Sequence, residues 1–128
     1  MGSSTIRSFT GLIAWQEAHK LVLKVYQTTK SFPVEERSGL ISQLRRAAVS
    51  ISSNIAEGFS RNSRREKRRF YEISQASLTE VQNELLISKD VGYLHPTDFQ
   101  KIADQTVIVS KLISGLKKSA SSAPTHEY

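Results

Sequence analysis

The chain has 128 residues and a formal net charge of +6, with 38% hydrophobic and 23% charged residues. This length and balance indicate one globular domain with a modest core and argue against a wholly disordered chain. The chain has no cysteine, which excludes disulfides, thiolate catalysis and cysteine-ligated zinc, and no apolar run approaches the roughly 20 residues of a membrane span.

Helical periodicity begins at residue 12, and the first predicted helix spans residues 12–30. Pro33 follows this segment, disfavours helical geometry at the residue before it and suits the first turn of the next helix. Glu35 and Glu36 would complement the dipole of that helix. We therefore expect the second helix to begin at Pro33.

The second helix is predicted to continue to Phe59, with apolar residues at spacings of three and four. Its small residues allow a neighbouring backbone to approach closely, and Gly58 near the end is a termination signal. These small residues are Ala47, Ala48, Ser50, Ser52, Ser53, Ala56 and Gly58. We expect tight packing along this helix.

Four polar residues on this helix form a second candidate site: Arg45, Arg46, Asn54 and Glu57. Glu57 lies about three turns beyond the arginines, hence on a similar face to Arg46. One interpretation is a polar network that joins helices or subunits, with Glu57 or Glu84 as the carboxylate partner. The other is that an arginine lines a charged channel and contacts phosphate.

The third helix is predicted to begin at Ser63, because Ser63 and Glu66 have the spacing of a capping box. Six cations surround this start, with one acid among them, and their balance of +5 leaves only +1 for the rest of the chain. They are Arg61, Arg64, Arg65, Lys67, Arg68 and Arg69. Cations at a helix N-terminus are unfavourable by themselves, so this concentration indicates a polyanion partner.

Helical-wheel arithmetic places Arg64, Arg65, Arg68 and Arg69 on one outward arc of about 140°. Lys67 lies towards the apolar stripe, with a stem long enough to snorkel outward. The planar guanidinium group suits phosphate oxygens, and such contacts position a nucleic acid without reading its sequence. The alternatives are an acidic protein partner or a solvated helix face.

The fourth helix is predicted over residues 97–118, with an unbroken apolar stripe at spacings of three and four. We expect flexible segments at residues 1–11 and 119–128. Four helices with short links predict an all-α, antiparallel up-down-up-down four-helix bundle over residues 12–118.

Features of enzymes are scarce in this sequence. The three histidines are far apart, no Glu-x-x-His pairs suggest a di-metal centre, and no phosphate loop, nucleophile elbow or HExxH motif occurs. The sequence therefore predicts a non-enzymatic protein without cofactor or metal. The absence of an apolar leader favours the cytoplasm.

The segment "QLRRAAVSISSNIAEGFSR", residues 43–61, closely resembles the four-helix-bundle proteins encoded in intervening sequences of bacterial 23S rRNA genes. The stretches "AWQEAHKLVLKVY", "FP" and "FYEISQASLTEVQNELLISKDVGYL" are similar to the same family in the same order. The resemblance covers residues 9–116.

This resemblance implies a bundle that assembles as a homopentamer. It also implies a fold similar to the accessory proteins of diversity-generating retroelements, which are basic pentamers thought to engage nucleic acid and a reverse transcriptase. The sequence thus favours an oligomeric nucleic-acid-binding protein, with RNA preferred because of the family's rRNA context. The second hypothesis is an oligomeric scaffold for a protein partner, such as a reverse transcriptase or an acidic surface.

Overall fold

Helices account for most of the described chain. A computed structural model describes residues 9–121, and the predicted features of residues 1–8 and 122–128 lie outside them. The α-helices are α1 (Ile13–Thr29), α2 (Leu40–Ser60), α3 (Arg64–Asp90) and α4 (Pro96–Ser121), and short 3₁₀ turns at Phe9–Gly11 and Val34–Glu36 precede α1 and α2. No strand occurs between residues 9 and 121.

Each helix packs antiparallel against the next, and α4 closes the bundle against α1. Between α2 and α3, Ser74 Oγ donates to the Ile51 carbonyl (2.8 Å). Between α3 and α4, Gln82 donates to Thr106 Oγ1 (3.0 Å). This arrangement confirms the predicted all-α, up-down-up-down four-helix bundle.

The core is a single cluster of aliphatic side chains, one stripe from each helix. The predicted stripes of α2 and α4 are buried largely as expected, and the stripe of α1 is centred on Ala18, Leu21 and Val25. Tyr26, next to Val25, is 39% exposed and lies outside that stripe. The largest fully buried aliphatic side chains are Leu21, Val25, Leu44, Ile51, Ile55, Leu78, Val81, Leu85, Ile102, Val109 and Ile113.

The start of α2 differs from the prediction. The residues after Pro33 form the 3₁₀ turn Val34–Glu36, and α2 begins only at Leu40. Glu36 still serves the helix start, because its Oε1 accepts from the Leu40 N–H (3.1 Å). Its Oε2 accepts from the Tyr93 hydroxyl (3.0 Å). Glu36 therefore stabilises the first turn of α2, although it precedes that helix in the chain.

The prediction that Gly58 terminates α2 is wrong, because the helix continues to Ser60. Gly58 instead lies at a tight contact between α2 and α3: a Cβ there would lie 2.7 Å from the Tyr71 ring and 3.2 Å from the Lys67 carbonyl oxygen. Tyr71 is 3% exposed. The small residue is required by packing rather than by backbone geometry.

A glycine ends α3. Gly92 has φ of 90°, and the Tyr93 and Gly92 N–H groups donate to the carbonyls of Ser88 and Lys89 (2.9 and 3.0 Å). This is the Schellman arrangement, which favours glycine in its left-handed position. After it the chain enters α4, which extends to Ser121, three residues beyond the predicted end.

Candidate nucleic-acid interface

The start of α3 is fixed by Ser63. Its Oγ accepts from the Glu66 N–H (3.1 Å) while its own backbone is extended, which satisfies one of the unpaired donors of the first turn. The predicted N-cap is confirmed. It allows α3 to begin within a dense run of cations.

The carboxyl ends of α2 and α4 supply the negative partners that α3 lacks. Lys67 Nζ donates to the last carbonyls of α2, those of Phe59 (2.7 Å) and Gly58 (3.3 Å). Arg64 Nη1 donates to the Ser119 carbonyl near the end of α4 (3.3 Å). Since a helix C-terminus carries partial negative charge, two antiparallel neighbours offset the repulsion at the start of α3.

Lys67 is one of three partly buried cations among the six, with Arg61 and Arg64. Its ammonium group lies 5.5 Å from the centre of the Phe59 ring. Burial, and then the charge of Arg64, lowers the pKa of Lys67. The ammonium group of Lys67 is thus engaged by the end of α2.

Arg61 is also held within the molecule. It forms an ion pair with Glu57, and its guanidinium carbon lies 4.8 Å above the Phe70 ring. Its Nε is buried and has no hydrogen-bond partner in the part of the chain that the structure describes. Arg61 thus links the end of α2 to the first turns of α3.

The remaining three predicted cations face solvent: Arg65, Arg68 and Arg69. Arg68 pairs with Glu72 one turn later (3.3 Å), with both side chains about half exposed, so the pair contributes little to stability. Arg65 and Arg69 make no ion pair or hydrogen bond with any residue between 9 and 121. They are the cations available to an external anion.

These arginines line a surface cleft of about 800 Å³ between the start of α3 and the end of α4, called here the basic cleft. Its walls are Ser63, Arg64, Arg65, Glu66, Arg68, Arg69, Glu72, Ala120 and Ser121. Four cations against two acids leave it positive. The structure therefore brings together four of the six predicted basic residues on one concave surface.

The second predicted site does not form one intramolecular network. Arg45 Nε donates to Thr29 Oγ1 (2.9 Å), and its guanidinium lies 4.5 Å above the Tyr26 ring, which ties α2 to α1. Asn54 donates to the Ser50 carbonyl (2.8 Å).

The two other members of that site lie apart from these contacts. Glu57 pairs with Arg61 instead of Arg46, and Arg46 is exposed on the outer side of α2. The four residues thus belong to separate contacts.

Glu84, predicted as a possible carboxylate partner of the arginines on α2, is a buried acid that pairs with neither Arg45 nor Arg46. The residue is 5% exposed, and its Oε1 has no hydrogen-bond partner within residues 9–121. Burial, together with the charge of Glu80, raises the pKa of Glu84 to about 7. That this carboxyl is enclosed follows from the packing of the bundle and not from its spacing in the sequence.

The described chain has neither a cluster of metal-ligating side chains nor a membrane-spanning helix. No group of three or more histidine, aspartate or glutamate side chains between residues 9 and 121 is arranged to hold a metal ion. Over the same residues, no helix is both long and apolar enough to cross a membrane.

Comparison with known proteins gives one family and one fold. The model of the family described as "23S rRNA-intervening sequence protein" matches residues 10–115. The crystal structure of a protein of unknown function from the S23 ribosomal protein family of Bacteroides thetaiotaomicron is similar, with a TM-score of 0.72 and 18% identity over 82% of this chain and 98% of that one. No curated protein matches the sequence, and neither similarity names an enzymatic activity.

Proposed function

The chain belongs to the 23S rRNA-intervening sequence protein family, and from this membership and the basic cleft we propose that it is a non-enzymatic, homo-oligomeric protein that binds nucleic acid. The observation that carries the proposal is the pair Arg65 and Arg69, exposed in the cleft without an acid partner in the described chain. Exposed guanidinium groups on a concave surface match the phosphate oxygens of a nucleic acid backbone.

The six basic residues divide their roles in this proposal. Arg65, Arg68 and Arg69 contact phosphates, and Arg64 lies at the inner edge of the same cleft. Arg61 and Lys67 hold the ends of α2 and α3 together, so they keep the contacting arginines in place. Such contacts give affinity that depends on salt and little preference for sequence.

RNA is favoured over DNA because the family is named for intervening sequences of 23S rRNA. A homo-oligomer, a pentamer by resemblance to the family, would repeat the basic cleft in each copy. Weak sites on one assembly then act together through effective concentration. The proposal places the protein in the cytoplasm, without cofactor or metal.

Titration of binding against salt tests this proposal. With a structured RNA, Arg65→Ala/Arg69→Ala should weaken binding at low salt and reduce the slope of log affinity against log salt by about 2, because each phosphate contact contributes about 0.9 on a duplex. Fluorescence anisotropy measures both quantities.

The matched control is Lys101→Ala/Lys111→Ala, which removes two exposed charges from α4 outside the basic cleft. It should change the slope by much less than the arginine variant. Equal slopes for the two variants would contradict binding at the cleft, and no binding by the wild type at low salt would contradict the function.

An apolar groove between α3 and α4 favours a second candidate function. In it the protein is a scaffold for a protein partner such as a reverse transcriptase. Leu86 and Val107 are each 46% exposed on the rim of the groove, and Phe99 contributes to its lining. A partner helix could bury these side chains. The candidate predicts that Leu86→Asp/Val107→Asp abolishes association with a purified partner and leaves the salt slope for RNA unchanged.

A further inference from the structure

A second pocket lies beside the basic cleft, at the same end of the bundle. This end pocket is an open depression with a volume of about 620 Å³, lined by the last turns of α2 and α4, the first turns of α3 and Leu12. Ser63, Arg64 and Ala120 line both the end pocket and the basic cleft. The two spaces therefore share a wall.

The lining of the end pocket combines an apolar floor with polar groups at its edge. Leu12, Phe59 and Leu116 supply the apolar part, and the Phe59 ring is 37% exposed. Asn62 and Lys67 lie beside it. Asn62 makes no hydrogen bond with the described chain, so its amide can both donate and accept.

Tyr71 is the most informative residue of this pocket. Tyr71 is only 3% exposed, its ring packs against Gly58, and it lines the end pocket. No residue between 9 and 121 hydrogen-bonds its hydroxyl. The hydroxyl oxygen is not among the buried side-chain atoms that lack a partner, so it reaches the open space of the end pocket, where it can hydrogen-bond the polar edge of a ligand.

We propose that the end pocket takes the base of one unpaired nucleotide, whose phosphate lies on the arginines of the adjoining basic cleft. A flat aromatic base would stack on the face of the Phe59 ring that the Lys67 ammonium does not cover, with its polar edge towards Asn62 and the Tyr71 hydroxyl. A base within a duplex hides that edge in pairing, so the nucleotide comes from a single-stranded end or a bulge. This inference rests on the proposed function and specifies its ligand.

Two RNA hairpins with the same stem test the inference, one blunt and one with a three-nucleotide single-stranded end. Stacking of a base on an aromatic ring contributes roughly 1–3 kcal/mol, and 1.4 kcal/mol is tenfold in affinity. We therefore expect wild-type protein to bind the hairpin with the single-stranded end about tenfold more tightly than the blunt hairpin.

Two variants of the end pocket test whether the preference for the single-stranded end arises there. Tyr71→Phe keeps the ring against Gly58 and removes only the hydroxyl, and Phe59→Ala removes the stacking surface. Each should reduce the preference for the single-stranded end to about threefold or less, with blunt-hairpin affinity unchanged, because each removes part of the stacking or hydrogen bonding that gives the preference. Arg65→Ala/Arg69→Ala should weaken both hairpins, and the one with the single-stranded end at least as much as the blunt one, because the phosphate of the bound nucleotide also lies on these arginines. Thermal melting checks that each variant is folded.

The outcomes separate this inference from the proposed function. Equal, arginine-dependent binding of both hairpins by the wild type overturns the nucleotide pocket and leaves the proposed function intact. A preference that survives both pocket variants also overturns it. Adenosine monophosphate that binds as tightly as the single-stranded end would assign the pocket to free nucleotides instead. Failure of both hairpins to bind overturns the proposed function and this inference together.

Discussion

Single residues near the start of α3 were predictable where their partner is close in sequence. Ser63 and Glu66 are three residues apart, and the cap they form depends only on the local backbone. The partners of Arg64 and Lys67 are backbone carbonyls 55 and about nine residues away. Every residue has a backbone carbonyl, so the sequence does not show which carbonyl accepts a hydrogen bond from a given side chain. Only the folded structure shows which of the six cations are bound within the chain and which are exposed.

Glu84 carries a prediction about pH. Because its pKa is raised to about 7 from 4.5, the folded chain binds more protons than the unfolded chain between these values. The free energy of unfolding therefore falls as pH rises through that window. Glu84→Gln removes the titrating group and should be more stable than the wild type at pH 8.5, by up to about 3 kcal/mol, and similar in stability at pH 4.5.

Urea unfolding at several pH values between 4.5 and 8.5 measures this difference. Glu80→Gln serves as the comparison, because it removes only the neighbouring like charge that contributes to the shift. It should raise stability at high pH by a smaller amount. Parallel pH profiles for wild type and Glu84→Gln would show that the carboxyl titrates normally in the folded protein.

At the scale of the helices, periodicity identified four elements and most of their buried faces, because a helix repeats its apolar residues at a fixed spacing. The boundary at Pro33 was misplaced since proline suits a 3₁₀ turn as well as the first turn of an α-helix. Gly58 was misinterpreted for a similar reason. A glycine near a helix end predicts termination, but here a side chain from α3 occupies the space that a Cβ would need.

Gly58→Ala should destabilise the protein. Alanine gains about 1 kcal/mol of helix propensity, but its Cβ would clash with the buried Tyr71 ring, and overpacking of a core costs about 1–3 kcal/mol. We expect a net loss of about 1 kcal/mol in the free energy of unfolding. Denaturant unfolding measures it.

Gly115→Ala is the matched control for that substitution. Gly115 is an exposed glycine within α4, and nothing lies within 4 Å of a Cβ added there. The substitution should raise stability by about 0.5–1 kcal/mol through propensity alone. Stabilisation by both alanines would mean that the contact between α2 and α3 is looser than described.

At the scale of the whole molecule, the fold was predictable because each helix has one apolar face and short links, and such helices close on themselves as a bundle. The candidate site was predictable only in part. Its location at the start of α3 followed from the density of charge in the sequence. The basic cleft and the end pocket are also lined by the last residues of α4. Those residues were expected to belong to a flexible tail.

The proposed homo-oligomer predicts a mass in solution. The chain alone is 14.3 kDa, and a pentamer has five times that mass. Analytical ultracentrifugation at several concentrations should give the larger species. Tyr26 on α1 and Val49 on α2 are each 39% exposed and are available for contacts between copies. A species of 14.3 kDa throughout the concentration series would contradict an oligomer.

Three helix ends meet at the start of α3, and the charge gathered there makes the two ends of the bundle electrostatically different. Nearly all of the net charge lies at one end of a long bundle, so the protein carries a permanent electric moment along its axis. A polyanion would orient the approaching protein before any contact forms and guide it end-on, with the first turns of α3 leading. Even a protein with only weak contacts would then meet its target in the productive orientation.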